Sequence, residues 1–344
     1  MKNNRLKESQ NKFYFLIFLL LFFTVYSSNL STAERHSPLL HTTSFKSLSV
    51  DSYISVIEQK KILSGEFFSP QFTADGKKII LTGEHYKGLW CVNIDGSELQ
   101  KITDEYLAGW RPVSSTFSEI IFRSREIEGD KIKYSIKKYD LKTKKTVELY
   151  HGIDEDIYPP KLNKYQDHIM FVKDRKFSVI KLRNIKGVVP IYQQDEKLVF
   201  SDMGKVWCIK YTDVQPLEIS KGRETCGGEV LSPDGNKVAY IHGNTNSIII
   251  YDLQKNNEID IGEGSEPIWS PDGKFLAYIV TCDDGHRIIH SDIFVVKTDG
   301  TGKQRLTYTE DIAEVNPSWS PDGKLIVCKD ALSDNIYLLK LRLK

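Results

Sequence analysis

The side chains best suited to chemistry or recognition in this chain sit between strand-like stretches rather than within them. They are His85 and Tyr86, Trp110 and Arg111, His151 and Tyr158, Arg223, His242, and the neighbours His286 and Arg287. Carboxylates lie close by, among them Glu84, Asp154, Glu155, Asp283 and Asp284. Imidazole and carboxylate together suit Mn, Zn or Fe. However, no spacing here matches a metal signature, and eight histidines are ordinary for 344 residues. Polar loop residues on a solvated face are therefore the expectation, with no catalytic set, metal or cofactor assigned. The acidic run at residues 154–156 lacks the alternating oxygen ligands and central glycine of a calcium loop. Trp110 beside Arg111 has the residue types of an interface hot spot, the equal alternative being a Trp packed inside the fold.

What positions these residues is a repeat. Residues 316–330 read NPSWSPDGKLIVCKD, and relatives of this text recur as EPIWSPDGKFLAYI at 266–279, EVLSPDGNKVAYI at 229–241 and SPQFTADGKKIILT at 69–82. Each copy joins an apolar half-strand to a β-branched and aromatic strand through a Ser-Pro-Asp-Gly type turn. Proline presets φ, Asp bonds its own backbone and Gly supplies the positive φ that closes a hairpin. Self-similarity at a period near 40 residues in all-β units points to a propeller.

Calling the strands of a blade a to d from the axis outwards, the register can be followed along the chain. Repeat one has strands at 70–73, 78–82, 89–94 and 99–103; repeat two, without the Pro-Asp-Gly, has b, c and d at 119–124, 133–141 and 146–150. Repeat three opens at Pro159-Pro160, and repeat four aligns from Pro190. Repeats five, six and seven open at Gly228, Pro267 and Pro317. The last repeat ends after its c strand, while residues 59–64 (QKKILS) resemble the d strands LQKIT and QRLT. A ring closed by an N-terminal strand leaves no unpaired edge. Residues 52–344 divide into about 42 per blade over seven four-stranded blades; six stays open because repeat three is short.

Alternating strand directions put the Ser-Pro-Asp-Gly and c–d turns on one face. The b–c loops and d–a crossovers lie on the other, where variable loops on a rigid scaffold carry binding. The ten residues named at the outset fall on this second face.

Charge is nearly balanced, 47 Lys and Arg against 46 Asp and Glu, which argues against a nucleic-acid surface. Residues 1–28 read as a signal peptide: a basic start, then an uncharged apolar run at 13–26. A retained anchor is the alternative. Residues 29–51 read as a flexible leader, and the chain after cleavage as an exported monomer not inserted in a membrane. Of the five cysteines, Cys91 and Cys208 occupy equivalent Trp-Cys dipeptides in distant repeats, so buried thiols are favoured over disulfides.

The texts SPDGKFLAYI, SPDGKLIV and DIFVVKTDGTGKQRLT resemble the WD40-like repeats of TolB-type propellers, found in many exported bacterial proteins. The resemblance spans residue 52 to the end and implies fold far more than activity, since the shared residues are turn and core residues. Two departures matter: TolB carries an α/β domain before its propeller, for which residues 29–51 are too few, and no Gly-x-Ser-x-Gly elbow of propeller-bearing peptidases is present. The expectation is a free-standing, non-enzymatic propeller that binds a protein or a cell-envelope glycan. The alternative is a carbohydrate-active lyase or hydrolase with loop histidines and carboxylates at the central channel.

Overall fold

The structure is a computed structural model and describes residues 53–155, 157–186, 191 and 195–343. The signal-peptide and leader expectations lie outside the described residues. The chain divides into two units, of which the smaller is described only at Cys282–Ile289. Here Asp284 Oδ1 accepts the backbone N–H groups of His286 and Arg287, both at 2.9 Å, forming a tight Asx turn.

The main unit, Ser52–Thr281 with His290–Lys344, is a seven-bladed β-propeller. Blade one runs Phe68–Phe72, Lys78–Thr82, Leu89–Asn93 and Gln100–Thr103 from the axis outwards. Blades two, five, six and seven also show four strands. In blades three and four, three strands each fall among the described residues. Blade three lacks an outer strand there, and the inner strand expected for blade four falls largely outside the described residues.

Ring closure follows the sequence expectation. The N-terminal strand Ile54–Ser64 pairs antiparallel with Asn335–Leu343, from Ile54 opposite Leu343 to Ser64 opposite Asn335, and so becomes the outer strand of blade seven. The core lies between blades rather than in one central mass. Ile80, Leu89 and Cys91 of blade one pack with Ile120, Phe122 and Tyr139 of blade two, and Phe72, Ile79 and Leu81 of blade one pack with Val327 and Ile336 of blade seven. The alternation of apolar residues along each strand supplies both faces of a blade to its neighbours.

The repeated turn works through its Ser and Asp together. Ser320 Oγ donates to Asp322 Oδ1 at 2.7 Å and accepts the backbone N–H of Leu325 at 2.9 Å, while Lys324 N donates to the same Asp oxygen. The same set recurs at Ser232/Asp234, Ser270/Asp272 and Thr73/Asp75. Successive turns also interlock: Pro271 Cδ would stand 3.8 Å from a Cβ at Gly323, and Pro321 Cδ 3.5 Å from one at Gly76. Gly at this position thus combines positive φ with a seat for the neighbouring proline.

Each of four inner strands carries a β-bulge at the same place, one turn before this hairpin. The residue there has positive φ: Ser69 in blade one, Gly228 in blade five, Glu266 in blade six, Asn316 in blade seven. Arg111, with φ 50, holds the equivalent position in blade two. A bulge re-aims a side chain, and here it turns the residue before each proline towards the axis.

Candidate functional site: the central channel

The bulge residues meet at the end of the channel where the crossovers enter. Arg111 Nη1 donates to Glu229 Oε1 at 2.7 Å, an ion pair that spans the axis from blade two to blade five. Glu229 stands where the repeat elsewhere has proline, and is buried, with Oε2 lacking a hydrogen-bond partner. Next to them, Asn316 donates both its backbone N–H and its side-chain amide to Glu266, the latter at 2.7 Å, and Asn316 Oδ1 accepts from Ser69 N at 3.3 Å. Blades six, seven and one are thereby tied at the axis.

Burial pushes the Glu266 carboxyl up to about 7, against the two bonds from Asn316. The loop Glu84–Tyr86 of blade one turns inwards over this cluster, with Gly109 N donating to Tyr86 O at 3.2 Å. Burial raises the Tyr86 hydroxyl, and the charges of Arg111 and Glu266 act on it in opposite directions.

Two residues further along each inner strand, the positions facing the channel are Gln71, Val113, Lys161, Val230, Ile268 and Ser318. Lys161 is the charged member of a ring otherwise made of aliphatic and neutral residues. Its side chain is exposed to the water of the channel, with the inner strands of the ring close around it. That crowding first, and the neighbouring Arg111 cation second, bring its amine down to about 8, with Glu229 opposing.

The sequence-predicted residues separate into two groups. Tyr86 and Arg111 converge in the channel. His85 is exposed beside Glu84, His151 bonds Glu148 at 2.9 Å, and His242 bonds Thr245 Oγ1 at 3.1 Å, each on a different blade. Two expectations are corrected, for Tyr158 and Arg223, and for Trp110 the packed alternative holds. Tyr158 is buried, tilted against Phe200 with ring centroids 4.9 Å apart, and is a core residue of the blade three–four contact. Arg223 is held by Glu258, Tyr240 Oη and Ser220 O, so its donors serve the fold. Trp110 lies beneath the Arg123 guanidinium at 4.1 Å, and Arg123 is itself buried and bonded to Ile157 O, which makes Trp110 part of a packed stack. His286 and Arg287 belong to the separate turn Cys282–Ile289. Among the described residues no three His, Cys, Asp or Glu side chains gather as a metal-binding group.

Lys161, Glu229, Glu266 and Asn316 were not singled out by the sequence. Their signal was present: each lies in an inner strand, and Glu266 and Asn316 share with Arg111 the slot immediately before a proline. A cavity of about 950 Å³ opens between the Ser-Pro-Asp-Gly turns and runs inwards to Arg111, Lys161 and Glu229.

No family model matches the chain. By sequence it is similar to dipeptidyl-peptidase 5 of Porphyromonas gingivalis, 25% identical over 313 residues that cover 76% of this chain and 43% of that protein. The chain thus spans less than half the length of this curated relative. Among solved structures it is similar to TolB from Acinetobacter baumannii, with 18% identity, TM-score 0.46, and coverage of 74% of this chain and 57% of that one. A chain of the mitotic checkpoint complex matches at TM-score 0.53 and 12% identity, covering 91% of this chain and 97% of its own length. That likeness is one of fold alone.

Proposed function

We propose that this chain is an exported, non-enzymatic binding module that presents its b–c loops and d–a crossovers to a protein or a cell-envelope glycan. The observation that carries the reading is a set of exposed apolar side chains spread round the loop face, whereas those on the opposite face, Phe117, Tyr165 and Val214, are fewer. Tyr106, Ile127, Met203, Tyr308 and Leu332 are each about half exposed or more, and all five stand on that face, spread over blades one, two, four, six and seven and their crossovers. Large exposed apolar and aromatic residues on a rigid scaffold are what a recognition surface supplies. Among the described residues no helix is long and apolar enough to cross a membrane.

The test compares the full-length chain with a Tyr106→Ser, Met203→Ser, Tyr308→Ser, Leu332→Ser variant and with a control altered at Phe117 and Tyr165 on the opposite face. Each is immobilised and presented with solubilised envelope proteins and an array of envelope glycans. Retention by the parent and the control, lost in the four-site variant, supports the reading. Equal retention by all three overturns the choice of face, and no retention from either source overturns the binding role.

A second reading, an acid–base carbohydrate-active enzyme, is favoured by one arrangement: Glu266, held near 7, beside Tyr86 and Arg111 at the channel. Under it, polysaccharide turnover by the chain would vanish in Glu266→Gln.

A further inference from the structure

The cavity that opens between the Ser-Pro-Asp-Gly turns is lined by aliphatic side chains from four blades, Leu162, Val199, Val230 and Ile268, interspersed with the charged Lys164, Asp195, Glu196, Lys197 and Asp234, and reaches Arg111, Lys161 and Glu229. Its volume of about 950 Å³ lies in the ~300–1,000 Å³ range of small-ligand pockets. The floor is not charge-balanced. Arg111 is neutralised by Glu229 at 2.7 Å, whereas Lys161 has no ion-pair partner within 4 Å among the described residues. The charged groups that act on it are that same Arg111 and Glu229. A lysine on the channel wall among valine and isoleucine positions, without an anionic partner of its own among the described residues, is open to an anionic ligand entering from the cavity.

From these observations we propose that the channel binds a single carboxylate borne on an apolar body, the carboxylate meeting Lys161 and the body lying along the aliphatic walls. Two sources share this chemistry, an acyl-chain acid and the C-terminus of an apolar peptide. The mouth of the site lies on the face of the repeated turns, away from the loop face, so it stands or falls independently of the binding role proposed above. Glu229 disfavours a second negative charge on the ligand. Because an anion stabilises the protonated amine, affinity falls as pH rises through the lysine's titration near 8.

The experiment uses the full-length chain and calorimetric titration with decanoate, decanol, an apolar tetrapeptide acid and the same tetrapeptide as its amide. Decanoate, the peptide acid or both should bind one to one, at least tenfold tighter than the uncharged counterpart. Whichever acid binds identifies the source. Lys161→Met, which places another apolar side chain in the ring and is expected to fold, should lose at least tenfold in affinity for the acid and abolish the weakening between pH 7 and 9. The proposal is overturned if neither acid binds, if decanol and the amide bind as well as the acids, or if Lys161→Met binds the acid like the parent. A Lys161→Arg variant guards against loss through misfolding: retained binding there with loss in Lys161→Met supports the charge, and loss in both with unchanged melting overturns the assignment to this side chain's charge.

Discussion

Truncating Ile54 should loosen the closure of the whole ring. Ile54 opens the strand that completes blade seven; its side chain is fully buried, and its carbonyl accepts Gln304 Nε2 at 2.6 Å. Ile54→Ala deletes three buried carbons and leaves a cavity, which costs about 2–4 kcal/mol at sites of this kind. At roughly 2–4 °C per kcal/mol for a large domain, the melting temperature should fall by about 4–16 °C. Ile57, three residues on in the same strand and 44% exposed, is the control: Ile57→Ala should cost less than about 1 kcal/mol. Thermal unfolding followed by far-ultraviolet circular dichroism reads both. Unfreezing the edge Asn335–Leu343 should also make Ile54→Ala more prone to aggregate near its transition. Melting within a degree of the parent, or an equal loss from both substitutions, would refute velcro-type closure by this strand.

Other consequences are as direct. Arg111→Ala strands a buried Glu229 carboxylate and should cost about 2–3 kcal/mol, at or below the low end for broken buried pairs because Arg111 is one-third exposed; Arg111→Ala with Glu229→Gln should recover part of it in urea unfolding. Burial raises Glu266 and Glu314 from 4.5 to about 7 each, so both bind protons more tightly folded than unfolded. Their contribution is full below about pH 4.5 and is lost as pH rises through about 7; urea midpoints across that window should decline less in Glu266→Gln and Glu314→Gln than in the parent. Native alkylation followed by peptide mass mapping should mark Cys282, which is exposed, and spare Cys91, Cys208, Cys226 and Cys328, all buried with thiols raised by that burial. Rapid labelling of a second cysteine would mean that a blade opens.

How far these features were legible in the sequence depends on whether local or long-range chemistry sets them. The strands of blade one were readable to within two residues because turn chemistry and β-branched runs are local: Lys78–Thr82 is the strand expected there. Closure by the N-terminal strand was readable because the text of residues 59–64 copies other outer strands. Blades three and four were harder, lacking the Pro-Asp-Gly that marks the hairpin. The channel was only half legible. Tyr86 and Arg111 stood out as loop residues, whereas Glu229, Glu266 and Asn316 looked like turn and strand text. Their meeting depends on bulges that rotate the residue before proline to the axis, and on the ring bringing blade two opposite blade five. Tyr158 and Trp110 failed as surface candidates for the converse reason: an aromatic next to a crossover can be drawn between blades by a partner far away in sequence, Phe200 in one instance and Arg123 in the other.

On the proposed reading the loop face, rather than the face of the repeated turns, takes the partner. Hydrogen–deuterium exchange of the full-length chain, alone and with a partner isolated from the envelope, tests it most directly. New protection should be confined to the loop face, at residues 83–88, 104–111, 125–133, 202–205, 306–313 and 331–334. Protection centred instead on the turns at 73–77, 232–236, 270–274 and 320–324, with the loops unchanged, would contradict it.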